Sequence, residues 1–297
     1  MSVYTNTARF DGTARALTEA ELFKLAPSIF AVSAHESRSE RFQPIPTYDV
    51  LKALMKEGFM PVGAKQSRSR DEGKKDFTKH LIRLRRLDDD REYRVGDTLC
   101  EILLKNANDG TSAYDLMAGL FRVRCTNSMV SQIGTFDGVK VRHSGSAQVV
   151  AGNVIEGTYR VLGEAQKALV APADWSAIRL DGDERRLLAR TAHMARFETE
   201  DGGSNTPEAH AIQPERFLIP HRFDDKAPDL WTTFNVIQEN AIKGGMRGAH
   251  VDETGHVRRV TSRAVKGIEQ DVKLNKLLFG LAAGMAALKG KPLAIAA

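Results

Sequence analysis

The sequence predicts an α+β protein: an antiparallel β-meander of about four strands packed on a long helix, with a mainly helical C-terminal part. Three observations predict it. Four strand-like runs between residues 60 and 126 are joined by short polar turns, the connection that antiparallel neighbours use. A wide apolar stripe at helical spacing follows over 148–171, too broad to stay uncovered. The rest of the chain repeats helical periodicity with one interruption rich in Gly, Pro and acids. At 297 residues with 42% hydrophobic side chains, the chain can bury a real core.

The elements follow in order. LTEAELFKLA reads as a helix with Thr18 as N-cap, Glu21 closing a capping box, and Pro27 ending it. PIPTYDVLKALMKEGF reads as a second, capped at Thr47, with Val50, Leu51, Leu54 and Met55 on one face and Gly58 at C′. Strands are expected at 60–69, at 77–87 (FTKHLIRLRRL), at 98–106 (TLCEILLKN) and at 112–126 (SAYDLMAGLFRVRCT). Their turns are SRDEGKKD, DDDRE and Asn108-Asp109-Gly110. In the long helix Ile155, Tyr159, Leu162 and Leu169 mark the stripe, with Val154, Val161 and Ala165 beside it. A helix at about 183–197 carries Leu187, Leu188, Met194 and Phe197. LWTTFNVIQENAIKGG is a helix ending at Gly244-Gly245, 246–260 a hairpin or a mobile loop, and 269–289 a last helix carrying Val272, Leu277, Leu278 and Leu281. The expected organisation is a core domain over 1–198, a linker or loop over 199–215, and a helical region over 216–297 packing on the core.

No apolar run approaches the length of a membrane span, and the alternating start of the chain reads as neither leader nor anchor. Cys100 and Cys125 make no disulfide framework and read as buried, reduced thiols, as a cytoplasmic setting would keep them. Net charge is +5, too small to name a partner by its size. Its placement says more: residues 61–86 hold nine cations against Asp71, Glu72 and Asp76, a net +6, so the remaining 271 residues sum to −1.

Strand alternation sorts these charges. Ile82 and Leu84 fall on one side of the second strand, and Lys79, Arg83 and Arg85 on the other. In the fourth, Met117, Phe121, Val123 and Cys125 share a face opposite Arg122 and Arg124. Arg68 and Arg70 share a side of the first strand, and Lys65 belongs to the same strand. Each strand alone is as well explained by a solvated outer face. Together, with acids sparse, they predict a cationic sheet face that neutralises phosphates without reading bases. Its contacts would be Lys65, Arg68, Arg70, Lys79, Arg83, Arg85, Arg122 and Arg124, with a secondary basic segment of Lys243, Arg247, Arg258, Arg259 and Arg263. Tyr114 and Phe77 are the nearest aromatic candidates for base stacking, and both read more simply as core.

The sequence carries no motif for nucleotide- or metal-driven chemistry. Gly290-Lys291 is followed by Pro292, not by the hydroxyl residue of a phosphate-binding loop. The two cysteines lie 25 residues apart without paired histidines, so zinc spacing fails. His35-Glu36 is an isolated dipeptide, Asp88-Asp89-Asp90 reads as a turn, and Ser144-Gly145-Ser146 has no partner placed by sequence. No catalytic residue, metal or cofactor is therefore assigned.

LKNANDGTSAYDLMAGLFRVRCTNSMV at 104–130 resembles the phage/plasmid-like protein family, the domain-of-unknown-function (DUF) family 932. APSIFAVSAHESRSERFQPIPT at 26–47, the stretch through FTKHLIRLRR, NVIQENAIKGGMRG at 235–248 and VKGIEQDVKLNKLLFGLAAGMA at 265–286 match it as well. These blocks lie in the family's order and span most of the chain. One departure is Asn127-Ser128, where the pattern usually has Asn-Gly. The resemblance implies a plasmid or phage setting. The element order is similar to the core of the single-strand annealing recombinases, which implies a homo-oligomer binding and annealing single-stranded DNA without ATP. Two alternatives stay open: a nucleic-acid-modifying enzyme such as a nuclease using Asp109 and Asp115, and an interaction protein countering host defence.

Overall fold

A computed structural model describes residues 15–33, 46–67, 69, 72–86, 98–109, 112–123, 130–135, 138–142, 146–197, 207, 210–251 and 254–292. The chain divides into two compact units, Met1–Leu169 with Ile295–Ala297, and Val170–Ala294. The helix near 183–197, expected in the first domain, groups with the second unit. Most of the 199–215 linker lies outside the described residues.

The first unit contains α1 (Glu19–Leu25), α2 (Thr47–Lys56), β1 (Phe59–Gln66), β2 (His80–Arg86), β3 (Thr98–Asn106), β4 (Tyr114–Val123), β5 (Val130–Thr135), β6 (Val139–Val141) and α3 (Ala147–Lys167). The sheet is antiparallel in the order β1-β2-β3-β4-β5, and β6 also pairs with β4. The class and the meander are those expected, but the meander has five strands and a sixth beside it. VSQIGT and VKV are short and weakly alternating, so pattern reading passes over them. A 3-10 turn over Glu72–Phe77 takes the first residues expected of the second strand, and β2 begins at His80.

Local signals act mostly as expected. Thr18 and Glu21 form the reciprocal cap of α1. Hydrogen bonds from Arg15 and Thr18 hold the Glu21 carboxyl down at about 2. Thr47 does not cap α2: Pro46 is the N-cap residue, and Thr47 is the first helical residue with its hydroxyl turned into the core.

Both faces of the sheet are buried. The pairings Arg83↔Leu103 and Leu103↔Met117 put these residues on one face, with Leu81. Ile82, Leu104 and Leu116 form the opposite row, and every apolar member of both rows is buried. A sheet covered on both sides needs near-continuous apolar strands, which is how β3 and β4 read. Against the second row lies α3, where a Cβ on Gly157 would meet Leu116 Cδ1 at 2.9 Å.

The second unit contains α4 (Ala171–Ser176), α5 (Gly182–Phe197), α6 (Leu230–Lys243), β7 (Arg247–Val251), β8 (Val257–Thr261) and α7 (Ile268–Leu288). Trp175 is its aromatic hub, with ring centroids of Trp231, Phe234 and Phe279 at 6.2, 5.6 and 4.9 Å. Asp229 caps α6 by accepting from the Thr232 amide at 2.8 Å. Eleven of the 14 residues of α6 are buried, so it is the central helix of this unit. It stops at Gly244 (φ 69°) and Gly245 (φ 85°). A Cβ on Gly244 would lie 2.6 Å from the Arg263 carbonyl carbon, so both conformation and close approach require glycine there. β7 and β8 then pair antiparallel, from Arg247↔Thr261 to Val251↔Val257, so the segment expected as a hairpin or a mobile loop is a two-stranded ribbon. Among the described residues no helix is long and apolar enough to cross a membrane.

Candidate nucleic-acid interface

Arg83 and Arg85 project from β2 onto the row shared with Leu103 and Met117, and both are bound by Glu101 of β3. Arg83 donates from Nε to Oε2 at 2.6 Å and from Nη2 to Oε1 at 3.0 Å. Arg85 donates from Nε to Oε1 at 3.0 Å and also from Nη2. The Glu101 side chain is 0% exposed and that of Arg85 3%. Burial by itself would raise the Glu101 carboxyl, but the two guanidiniums outweigh it and hold the group below the usual carboxylate range. Arg83 also lies 4.3 Å over the Phe121 ring. Gly119, directly opposite Glu101, leaves room for that ring, since a Cβ there would sit 2.7 Å from Phe121 Cε2.

The expected sorting into an apolar and a cationic face therefore does not hold: Met117 and Phe121 share the face of Arg83. What lies there is a charged layer packed among apolar side chains. It continues through the cross-strand pair Lys105–Asp115 at 3.0 Å, both nearly buried. That pairing also engages Asp115, one of the two acids considered for a nuclease site. Lys65 and Lys79 are half-buried at the ends of β1 and β2. Arg122 pairs with Thr98 in the ladder, but its side chain lies outside the described residues, as do Arg68, Arg70 and Arg124. His35-Glu36, Asp88-Asp89-Asp90, Ser144-Gly145 and Cys125 also lie outside them.

The opposite face carries a polar cluster with no signal in the sequence. Thr47 Oγ1 accepts from Asn106 Nδ2 at 2.9 Å and lies 3.0 Å from His80 Nε2. His80 Nδ1 lies 2.9 Å from Ser28 Oγ, and Asn108 donates to the Ser28 carbonyl at 3.1 Å. A serine beside a histidine suggests nucleophile chemistry, but Ser28, Thr47, His80, Asn106 and Asn108 are all 0% exposed. No substrate reaches them in this conformation; they stitch α2 and the Pro27–Phe30 turn to β2 and β3. Tyr114 is also 0% exposed, which removes it as a stacking platform, and burial pushes its phenol above its ordinary value. Phe77 is half-buried.

Open cations lie elsewhere. On the hairpin, Arg247, Arg258 and Arg259 are exposed, and none has a side-chain partner among the described residues. The pairings Arg247↔Thr261 and Ala249↔Arg259 put Arg247 and Arg259 on one face of the ribbon; His250↔Arg258 fills the other. Arg263 follows, exposed, its carbonyl accepting from Arg196 Nη2 at 2.7 Å. Lys243 is instead tied to Glu239 at 2.6 Å. In the first unit an open cleft of about 320 Å³ between β6 and α3 is lined by Lys140, Arg142 and Arg160, with Asn153 and Glu156. Sequence reading missed these three because none belongs to a charge run. Among the described residues no group of His, Cys, Asp and Glu could hold a metal ion.

Comparison with known proteins places this geometry in context. The family model for the domain of unknown function DUF932 matches residues 34–279. Two proteins of Escherichia coli (strain K12), UPF0380 protein YafZ and UPF0380 protein YfjQ, are each 40% identical over 269 residues. Each match covers 90% of this chain and 91% of the relative. No solved structure matches.

Proposed function

We propose that this chain, which belongs to the DUF932 family of domains of unknown function, binds single-stranded nucleic acid through the β7–β8 ribbon. The observation that carries the reading is the contrast between two sets of arginines. Arg83 and Arg85 are engaged by one buried carboxylate, whereas Arg247, Arg258 and Arg259 stand in solvent without partners among the described residues. Guanidiniums on both faces of a narrow ribbon suit phosphates, which lie along a strand whatever its sequence. The cleft lined by Lys140, Arg142 and Arg160 is a second phosphate-seeking surface in the other unit.

The activity that follows is annealing: a homo-oligomer in a plasmid or phage setting would hold a strand extended, bases free to pair, without ATP. The order of a helix, an antiparallel meander and a long covering helix supports this by its similarity to the annealing recombinases. The test measures binding of labelled single- and double-stranded oligonucleotides across a salt series, with Arg258→Glu plus Arg259→Glu as the variant. Wild type should bind the single strand, with log K falling against log salt. The variant should bind more weakly, with a slope shallower by about 0.7 for each phosphate that it no longer neutralises. No binding at low salt, or an unchanged variant, would sink the proposal.

A further inference from the structure

Phe223 is 80% exposed, the most exposed aromatic side chain among the described residues. It opens the short 3-10 turn Phe223–Lys226, and its mount is rigid. Arg222, just before it, donates to Asp225 Oδ2 at 2.8 Å and to Glu239 Oε1 at 2.8 Å. His221 Nε2 lies 2.8 Å from Asn240 Oδ1, and the Asn240 side chain in turn donates to the carbonyls of Phe217 and Ile219 at 3.0 Å each. Glu239 and Asn240 are buried in the central helix α6. The turn is therefore clamped on both sides of a ring left in water. Lys226 Nζ lies 4.4 Å from the ring centroid, and no second aromatic ring packs on it among the described residues.

Where this ring stands matters as much as its exposure. Glu239 Oε1 receives Arg222 and, at 2.6 Å, Lys243, the last residue of α6. Four residues on, Arg247 opens the ribbon. Chain geometry keeps the Cα of Glu239 within about 20 Å of the Cα of Arg247, a reach of a few nucleotides. The turn that carries the ring and the ribbon belong to the same unit, and both are tied to the C-terminal end of α6, one through Glu239 and the other by four residues of chain.

We infer that Phe223 is a base-stacking residue, the platform on which an unpaired nucleobase of the strand held by the ribbon rests. The inference depends on the nucleic-acid reading and adds what the arginines cannot supply. Phosphate recognition alone does not distinguish a strand with free bases from any other polyanion, whereas a fixed ring does. Local charge agrees: Arg222 is paired with Asp225 and Glu239, so the site offers a ring face rather than a phosphate trap. The double-stranded form, with its bases stacked on each other, would not use it.

The test compares two probes of equal length and charge, oligo-dT and the same backbone without bases, against full-length wild type, Phe223→Ala and Phe223→Trp. Phe223→Ala should weaken oligo-dT binding about 10-fold while leaving the abasic probe and the salt slope unchanged. Phe223→Trp should keep oligo-dT affinity and report stacking by quenched fluorescence, over a steady background from the buried Trp175 and Trp231. Equal oligo-dT affinity in Phe223→Ala and wild type, or equal losses on both probes, overturns the stacking role while the ribbon's role stands. Absence of binding by wild type overturns both.

Discussion

Glu101→Gln keeps the shape of the side chain and removes its charge, so it isolates the ion cluster on the sheet. The carboxylate it deletes is 0% exposed and faces Arg85 at 3% and Arg83 at 15%. Arg85, 3% exposed, would lose that carboxylate and face a neutral amide in its place. Breaking a buried pair this way costs about 3–5 kcal/mol, a large share of the 5–15 kcal/mol that holds a typical domain together. Urea titration followed by circular dichroism at pH 7 should show the midpoint falling with the slope preserved. Acid adds a second, signed test. The folded Glu101 carboxyl sits below its ordinary value, so its stabilisation is complete above the unfolded pKa and is lost as pH falls through the folded one. The gap between wild type and variant should thus narrow on acidification. A loss under about 1 kcal/mol at pH 7, or a gap that widens in acid, would refute the reasoning. One corollary guides other experiments. Arg83→Glu with Arg85→Glu gathers three carboxylates in a dry layer, and a failure of that variant to bind would report unfolding.

Two further outcomes are expected. Thr47→Val should destabilise by about 2–3 kcal/mol, because it removes the hydroxyl that Asn106 and His80 share at zero exposure, whereas Thr47→Ser should recover most of the loss; thermal melts of the two variants decide it. Burial, aided by the Glu101 charge, pushes the Cys100 thiol up to about 12, so site-resolved mass spectrometry should find it unalkylated at pH 8 in the native protein and alkylated in urea.

Much of the fold was legible because its signals are local. The capping box at Thr18 and Glu21, the span of β3 and the end of α6 at two glycines all depend on neighbours a few residues apart. What escaped depends on distance in sequence. Period-two alternation sorts inside from outside only when one face is wet; here both faces are dry, so Arg83 and Arg85 read as surface residues when they are not. Their partner was visible as the lone carboxylate in TLCEILLKN, a charge that an apolar strand cannot bury without cations. Thr47 looked like a cap because its chemistry suits one, yet His80 and Asn106, 33 and 59 residues away, claim its hydroxyl. The exposure of Arg258 and Arg259 was legible, since they lie in a short polar strand with little to bury.

The two glycines at the root of the hairpin separate address from message. Gly244 and Gly245 set the ribbon's direction through backbone angles and a close carbonyl approach that no side chain shares. Within the strands the scaffold also fixes Gly248, where a Cβ would lie 2.0 Å from the Ala211 carbonyl oxygen, the same oxygen that accepts from the Ala249 amide at 3.0 Å. The exposed side chains of Arg247, Arg258 and Arg259 take no part in that aim, so their chemistry can change while the scaffold beneath stays still. Grafting a foreign ribbon between Gly245 and Ser262, with Gly248 kept, would be the natural way to retarget the molecule.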